Sequence, residues 1–224
     1  MKSREPNMPR HLERDLDNLS KQLLTMGAMV EDATNKAFFA LSQRRKDVAQ
    51  GVVQGDDAIN EKENLIEEEC LKILALHQPV ATDLRFIITA LKVNNDLERM
   101  GDLAVNIAER AKGLAELDPA PLPASLNTLV SNVQAMVRDS LNSLVNMDAH
   151  LARKVCEVDD EVDDINRAMY TEMQEVMRKN PALVERAIST LSVSRHLERI
   201  ADLATNIAED VVFLVEGEIV RHNL

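Results

Sequence analysis

Leu97-Glu98-Arg99-Met100-Gly101-Asp102-Leu103-Ala104 and Leu197-Glu198-Arg199-Ile200-Ala201-Asp202-Leu203-Ala204 are one stretch written twice, and each continues with Asn-Ile-Ala-Glu, at 106–109 and 206–209. The copies stand 100 residues apart, so the repeat is a whole structural unit rather than a local echo. Val93, Leu97, Met100, Ala104, Ile107, Ala111 and Leu114 form an apolar seam around the first copy. Val193, Leu197, Ile200, Ala204, Ile207, Val211 and Leu214 repeat it position for position. Spacings that alternate between three and four are those of an amphipathic helix.

The remaining segments carry the same period. Leu12, Leu16, Leu19, Leu23, Met26, Val30, Ala33, Ala37 and Ala40 predict one long helix over about 9–45. Val52, Ile59, Ile66 and Ile73 predict a second from about Asp47, stopping before Pro79 because a proline disfavours helical backbone in the residue preceding it. Pro79 and Asp83 are expected to open the third helix, which Asp118-Pro119-Ala120-Pro121-Leu122-Pro123 ends. After that linker, helices are expected over about 124–147, 148–179 and 181–216.

Six long helices with short connections imply antiparallel neighbours. The expected fold is all-α, two tandem antiparallel three-helix bundles related by the internal repeat, over residues 1–117 and 118–224. Periodicity leaves open whether a pseudo-twofold or a screw relates them. The composition agrees: 45% hydrophobic, 29% charged, 2% aromatic, with six Gly and seven Pro in 224 residues.

A net charge of −12 removes the long-range attraction to phosphate backbones or anionic membranes, so nucleic acid is not an expected partner. No window approaches the roughly 20 apolar residues of a membrane span, and Met1-Lys2-Ser3-Arg4-Glu5-Pro6 lacks a signal peptide's apolar core. Membrane insertion is not expected; a cytoplasmic location is. Cys70 and Cys156 lack metal-ligand or disulfide-scaffold spacing and are read as reduced thiols in or near the core.

At about 100° per residue, Glu98, Asp102, Asn106 and Glu109 share one strip of the third helix, roughly opposite its seam. Glu198, Asp202, Asn206 and Glu209 share the same strip of the sixth, so these acids are expected outside the core. A solvated face is the ordinary meaning of such a row. Yet Glu and Asp four apart repel each other on a helix, and here they do so twice. Counting back equally from the hairpin turns near residues 79 and 180 sets Asp56 and Asn60 beside Asp102 and Glu98, and Asp159 and Asp163 beside Asp202 and Glu198. Oxygen-rich clusters of this kind suit hard or borderline cations, which relieve the repulsion. A surface metal site in each half is the expectation. A buried di-iron centre is disfavoured because none of the five histidines has Glu three residues before it. Glycine-rich phosphate loops and recognisable nucleophile settings are missing.

The doubled Leu-Glu-Arg-(Met/Ile)-(Gly/Ala)-Asp, with Gln78-Pro79-x-x-x-Asp83-Leu84-Arg85 and Val220-Arg221-His222, resembles the PhoU family, regulators of the phosphate-specific transport system of bacteria. The resemblance runs from about Leu23 to His222 and implies two three-helix bundles with multinuclear metal clusters on the surface. Iron or zinc is the implied metal, with magnesium or manganese as alternatives. The family's Glu/Asp-x-x-x-Asp motif falls on Glu98 and Asp102, and on Glu198 and Asp202; its partner motif falls on Asp56 with Asn60, and on Asp159 and Asp163. Asn60 breaks the carboxylate pair, so it is a weaker ligand and the first site is expected to be the weaker.

The implied role is negative regulation of the phosphate-starvation response. The chain would be an adaptor between the ATPase subunit of a phosphate ABC transporter and a sensor histidine kinase, peripheral to the inner membrane through those partners. A homodimer is the expected assembly, and no catalysis is expected. The alternative, a metal-dependent surface hydrolase, needs an open coordination position and a substrate pocket. The sequence offers no convergent pocket-forming residues for it.

Overall fold

A computed structural model describes residues 8–118 and 122–217. Six helices account for nearly all of them: α1 (Met8–Gln43), α2 (Lys46–His77), α3 (Ala81–Leu114), α4 (Ala124–Asn146), α5 (Ala149–Lys179) and α6 (Val184–Glu216). The Val220-Arg221-His222 motif and part of the proline-rich linker lie outside the described residues.

The turns repeat along with the helices. Arg44 (φ 54°) and Met147 (φ 51°), which are 103 residues apart, take left-handed backbone and reverse the chain after α1 and after α4. Arg44 also donates to the carbonyls of Ala115 and Leu117, tying the first turn to the end of α3. Asp148 caps α5, its carboxylate accepting from Leu151 N–H at 3.0 Å. Gly217 (φ 79°) ends α6, its N–H reaching back to Phe213 O.

The second hairpin of each half differs from the expectation in detail. Pro79 is not in the first turn of α3. Gln78 (φ 47°) closes α2 by donating to Leu74 O, and Val80 is extended before Ala81 starts the helix. Pro181–Leu183 form a single 3-10 turn, started by Asn180, whose side chain accepts from Ala182 N–H, and α6 proper begins at Val184.

In each half the three helices pack on one another: α1, α2 and α3, then α4, α5 and α6. The heptad residues Ile59, Ile66 and Ile73 and both long seams are buried. The halves then pack side by side, mainly α3 against α6 with a smaller contact of α1 with α4. Gly27 makes the smaller contact close, since a methyl there would stand 2.9 Å from Leu141 Cδ2.

Lys92 pairs with Asp210 at 2.9 Å, and Arg85 donates to Leu214 O. At the other end, the positive charge of Arg110 acts on His196. Numbers rise along α3 as they fall along α6, so the two helices are antiparallel. Arg99, Asp102, Leu103 and Asn106 face Arg199, Asp202, Leu203 and Asn206 around one groove. Equivalent residues meeting this way require a pseudo-twofold that passes between the doubled motifs; a screw would not bring them together.

Candidate functional site

Each acidic strip lies against the second helix of its own bundle. In the first half α2 supplies Asp56, Asn60 and Glu63, and α3 supplies Glu98 and Asp102. The side chains are near enough for Asp102 to push the Asp56 carboxyl above its ordinary range, and for Asp102, Glu63 and Asp56 to do so for Glu98. Burial is the larger cause in both. The Asn60 amide donates to Asp56 Oδ2 at 3.3 Å and partly offsets this repulsion. Asp56 Oδ1 and Asn60 Oδ1 are buried without a hydrogen-bond partner.

In the second half α5 supplies Asp159 and Asp163, and α6 supplies Glu198 and Asp202. The strain is greater there. Burial, then Asp202 and Asp163, push Asp159 up to about 6 against the opposing influence of the Thr205 hydroxyl. Burial, then Glu198 and Asp163, push Asp202 up to about 6 against the pull of Arg199. Glu198 is raised by burial and by Asp163. The structure thus brings together, within each half, the residues that the hairpin count pairs.

Sequence reasoning missed Glu63. It lies seven residues beyond Asp56, on the same face of α2, and one more turn of counting along the hairpin reaches it. Glu63 and Asn166 are equivalent, as are Asn60 and Asp163, all offset by 103. The halves have therefore exchanged an acid and an amide between two positions. The first cluster holds Asp56, Glu63, Glu98 and Asp102, the second Asp159, Asp163, Glu198 and Asp202. With Glu63 counted, each cluster holds four carboxylates.

A second finding corrects the strip itself. Glu109 is exposed as expected, but its equivalent Glu209 is buried, and its charge acts on the Cys156 thiol. Both α3 and α6 pack against three helices, so the number of neighbours does not separate the two acids; Glu209 lies near enough to Cys156 of α5 for its charge to act on the thiol. Burial first, then Glu209 and Asp159, push Cys156 up to about 11; Cys70, wholly buried, goes up to about 12. Both cysteines are unpaired.

Gly101 sets how closely α2 and α3 approach beside the first cluster. A methyl on it would stand 3.2 Å from Ile59 Cδ1 and 3.7 Å from Asp56 Oδ1. The equivalent pair in the second half is Ala201 and Val162, both buried. One carbon has moved across the helix pair, so the combined volume is kept.

The donor set of each cluster fits a cation: carboxylate oxygens held near one another, with one carboxylate oxygen of Asp56 and the amide oxygen of Asn60 orphaned in the first cluster. Among the described residues, however, no three His, Cys, Asp or Glu side chains already converge on one point. Gripping an ion would need the carboxylates to turn inward about their side-chain bonds. The groove between the clusters, about 400 Å³ and lined by four pairs of equivalent residues, is a feature the sequence reading did not expect.

Known proteins are similar over nearly the whole chain. The PhoU domain matches twice, over residues 23–111 and 126–211. A phosphate-specific transport system accessory protein PhoU homolog of Aquifex aeolicus is 42% identical, covering 94% of this chain and 96% of its own. The homolog of Pseudomonas aeruginosa is 40% identical over 93% and 86%. The crystal structure of PhoU from Pseudomonas aeruginosa superposes with a TM-score of 0.90 at 39% identity, covering 92% of this chain and 99% of that one. The phosphate transport system regulatory protein PhoU from Streptococcus pneumoniae gives 0.85 at 30% identity, over 93% and 99%. With two matched domains, these identities and a shared six-helix architecture, the chain belongs to the PhoU family.

Proposed function

We propose that the protein is an accessory regulator of phosphate uptake that restrains the phosphate-starvation response. In this reading it is an adaptor between the ATPase subunit of a phosphate ABC transporter and a sensor histidine kinase, acts at the cytoplasmic side, and is not an enzyme. The observation that carries the reading is near-full-length similarity to relatives named as accessory or regulatory proteins of phosphate transport. Among the described residues no helix is long and apolar enough to cross a membrane, which suits a protein held there by partners. A homodimer is part of the same proposal.

The two acidic clusters are the proposed metal sites. Asp56, Glu63, Glu98 and Asp102 would hold one, with Asn60 as an auxiliary oxygen donor, and Asp159, Asp163, Glu198 and Asp202 the other. Iron or zinc is the first choice, magnesium or manganese the second. The ion would supply positive charge that neutralises the crowded carboxylates and a coordination surface for partner groups. The support is electrostatic: Asp159 and Asp202 both pushed up to about 6, and orphaned oxygens on Asp56 and Asn60. The hydrolase alternative is not favoured, because the relatives are named as accessory or regulatory proteins of phosphate transport and not as enzymes.

The test is affinity capture with the tagged full chain from phosphate-replete and phosphate-starved cells, with and without chelator. Recovery of the transporter ATPase and the kinase, enriched in replete cells, is the expected result. Recovery of neither in any condition would overturn the adaptor reading.

A further inference from the structure

The groove on the pseudo-twofold has a composition that the metal sites do not explain. Its lining is Arg99, Asp102, Leu103 and Asn106 with Arg199, Asp202, Leu203 and Asn206. Leu103 and Leu203 are buried and give it an apolar floor. Two guanidinium groups and two carboxamides therefore stand around an open groove with this floor, each type presented once from each half.

A ligand on a twofold axis meets each donor twice, so the best occupant has a twofold axis of its own. A tetrahedral oxyanion has one, and offers two O–X–O edges to two planar guanidinium forks. The side-chain amides of Asn106 and Asn206 add neutral donors beside them. Arg99 is not committed to a strong ion pair: its contact with Asp96 is 3.9 Å, and 60% of its side chain is exposed. We infer that the α3–α6 groove binds one phosphate-type oxyanion per chain, held by Arg99 and Arg199 with Asn106 and Asn206. The cavity is larger than one orthophosphate fills, so a hydrated orthophosphate and a diphosphate share the required chemistry.

Asp102 and Asp202 oppose this anion. Their two negative charges cancel the two arginines, leaving the lining formally neutral at pH 7. Both also belong to the acidic clusters, one from each half. Any cation that engages them frees the arginines' field for the groove, which would make oxyanion affinity rise with metal loading. That dependence alone rests on the metal reading above; the groove's own donors do not.

The experiment is titration calorimetry on the full chain in chelator, with orthophosphate, diphosphate and sulfate as separate arms. Asp102→Asn with Asp202→Asn removes the opposing charges without any metal and should tighten binding about tenfold or more relative to the parent chain. The stoichiometry should be one per chain. Adding Arg99→Gln with Arg199→Gln to that variant should weaken binding at least about tenfold. Arg99→Lys with Arg199→Lys, which keeps charge but loses the fork, should fall between. The arginines are exposed at the helix surface, and circular dichroism checks that each variant is folded. Failure of the Asp-substituted chain to bind any of the three anions saturably, binding that survives the loss of both arginines, or two anions per chain would each overturn the inference. Because these arms contain no metal, failure of the metal sites does not register in them.

Discussion

Asp159 on α5 and Asp202 on α6 confront each other across the helix pair of the second bundle, and the Asp202 charge raises the proton affinity of Asp159. Burial comes first in both; Asp202 and Asp163 then act on Asp159, and Glu198 and Asp163 on Asp202, bringing both carboxyls to about 6. The relationship makes the cluster a source of instability that depends on pH.

The folded chain holds protons on this pair that the unfolded chain, with ordinary carboxyls near 3.9, has already released. Folding is thus favoured at low pH by this pair, and that contribution is lost as pH rises from about 4 through about 6. In chelator, Asp159→Asn with Asp202→Asn should raise the melting temperature at pH 7.5 relative to the parent chain and change it little at pH 4.5. The pair is partly solvated, so the expected gain is about 1 kcal/mol, a few degrees. Thermal melts at the two pH values check the difference, and an equal effect at both would refute this account.

Metal content tests the exchange between Asn60 and Glu63. Glu98→Ala and Asp102→Ala should each remove metal from the first cluster and spare the second. Glu63→Gln should lower the first cluster's affinity by about tenfold, whereas Asn60→Asp should raise it, since each carboxylate added or removed changes the charge facing the ion. Elemental analysis after equilibrium dialysis gives the counts. If both Glu98→Ala and Asp102→Ala leave metal content unchanged, the first site does not exist.

Gly101 and Ile59 form a second testable pair. Gly101→Ala forces a methyl to 3.2 Å from Ile59 Cδ1 and should destabilise the chain by about 1–3 kcal/mol. Ile59→Val alone should cost about 1 kcal/mol through the small void it leaves. The double variant reproduces the Ala201 and Val162 pairing of the second half, so it should be more stable than the sum of the single changes by about 1 kcal/mol or more. Urea unfolding of the four chains supplies the cycle, and strict additivity would show that the two sites do not share the space.

The sequence by itself determined the six helices, their apolar seams and the duplicated plan, because a helix core face is written as a 3.6-residue period that neighbouring structure does not alter. It also paired Asp56 with Asp102 and Asp159 with Asp202, since antiparallel helices joined by a short turn keep equal distances from it. What it left undecided was everything set by a second helix face. Arg99, Asn106, Arg199 and Asn206 read as ordinary polar surface, and only the antiparallel docking of α3 on α6 turns them into one groove. Glu209 reads as exposed because its strip lies opposite one seam, yet it is buried while its equivalent Glu109 is exposed, a difference between the halves that the shared local pattern does not carry. Glu63 was within reach of the same count but needed one further turn along α2. Periodicity reports which residues avoid water along a single helix; which faces of separate helices meet is settled by shape and charge across the interface, and no local spacing records that.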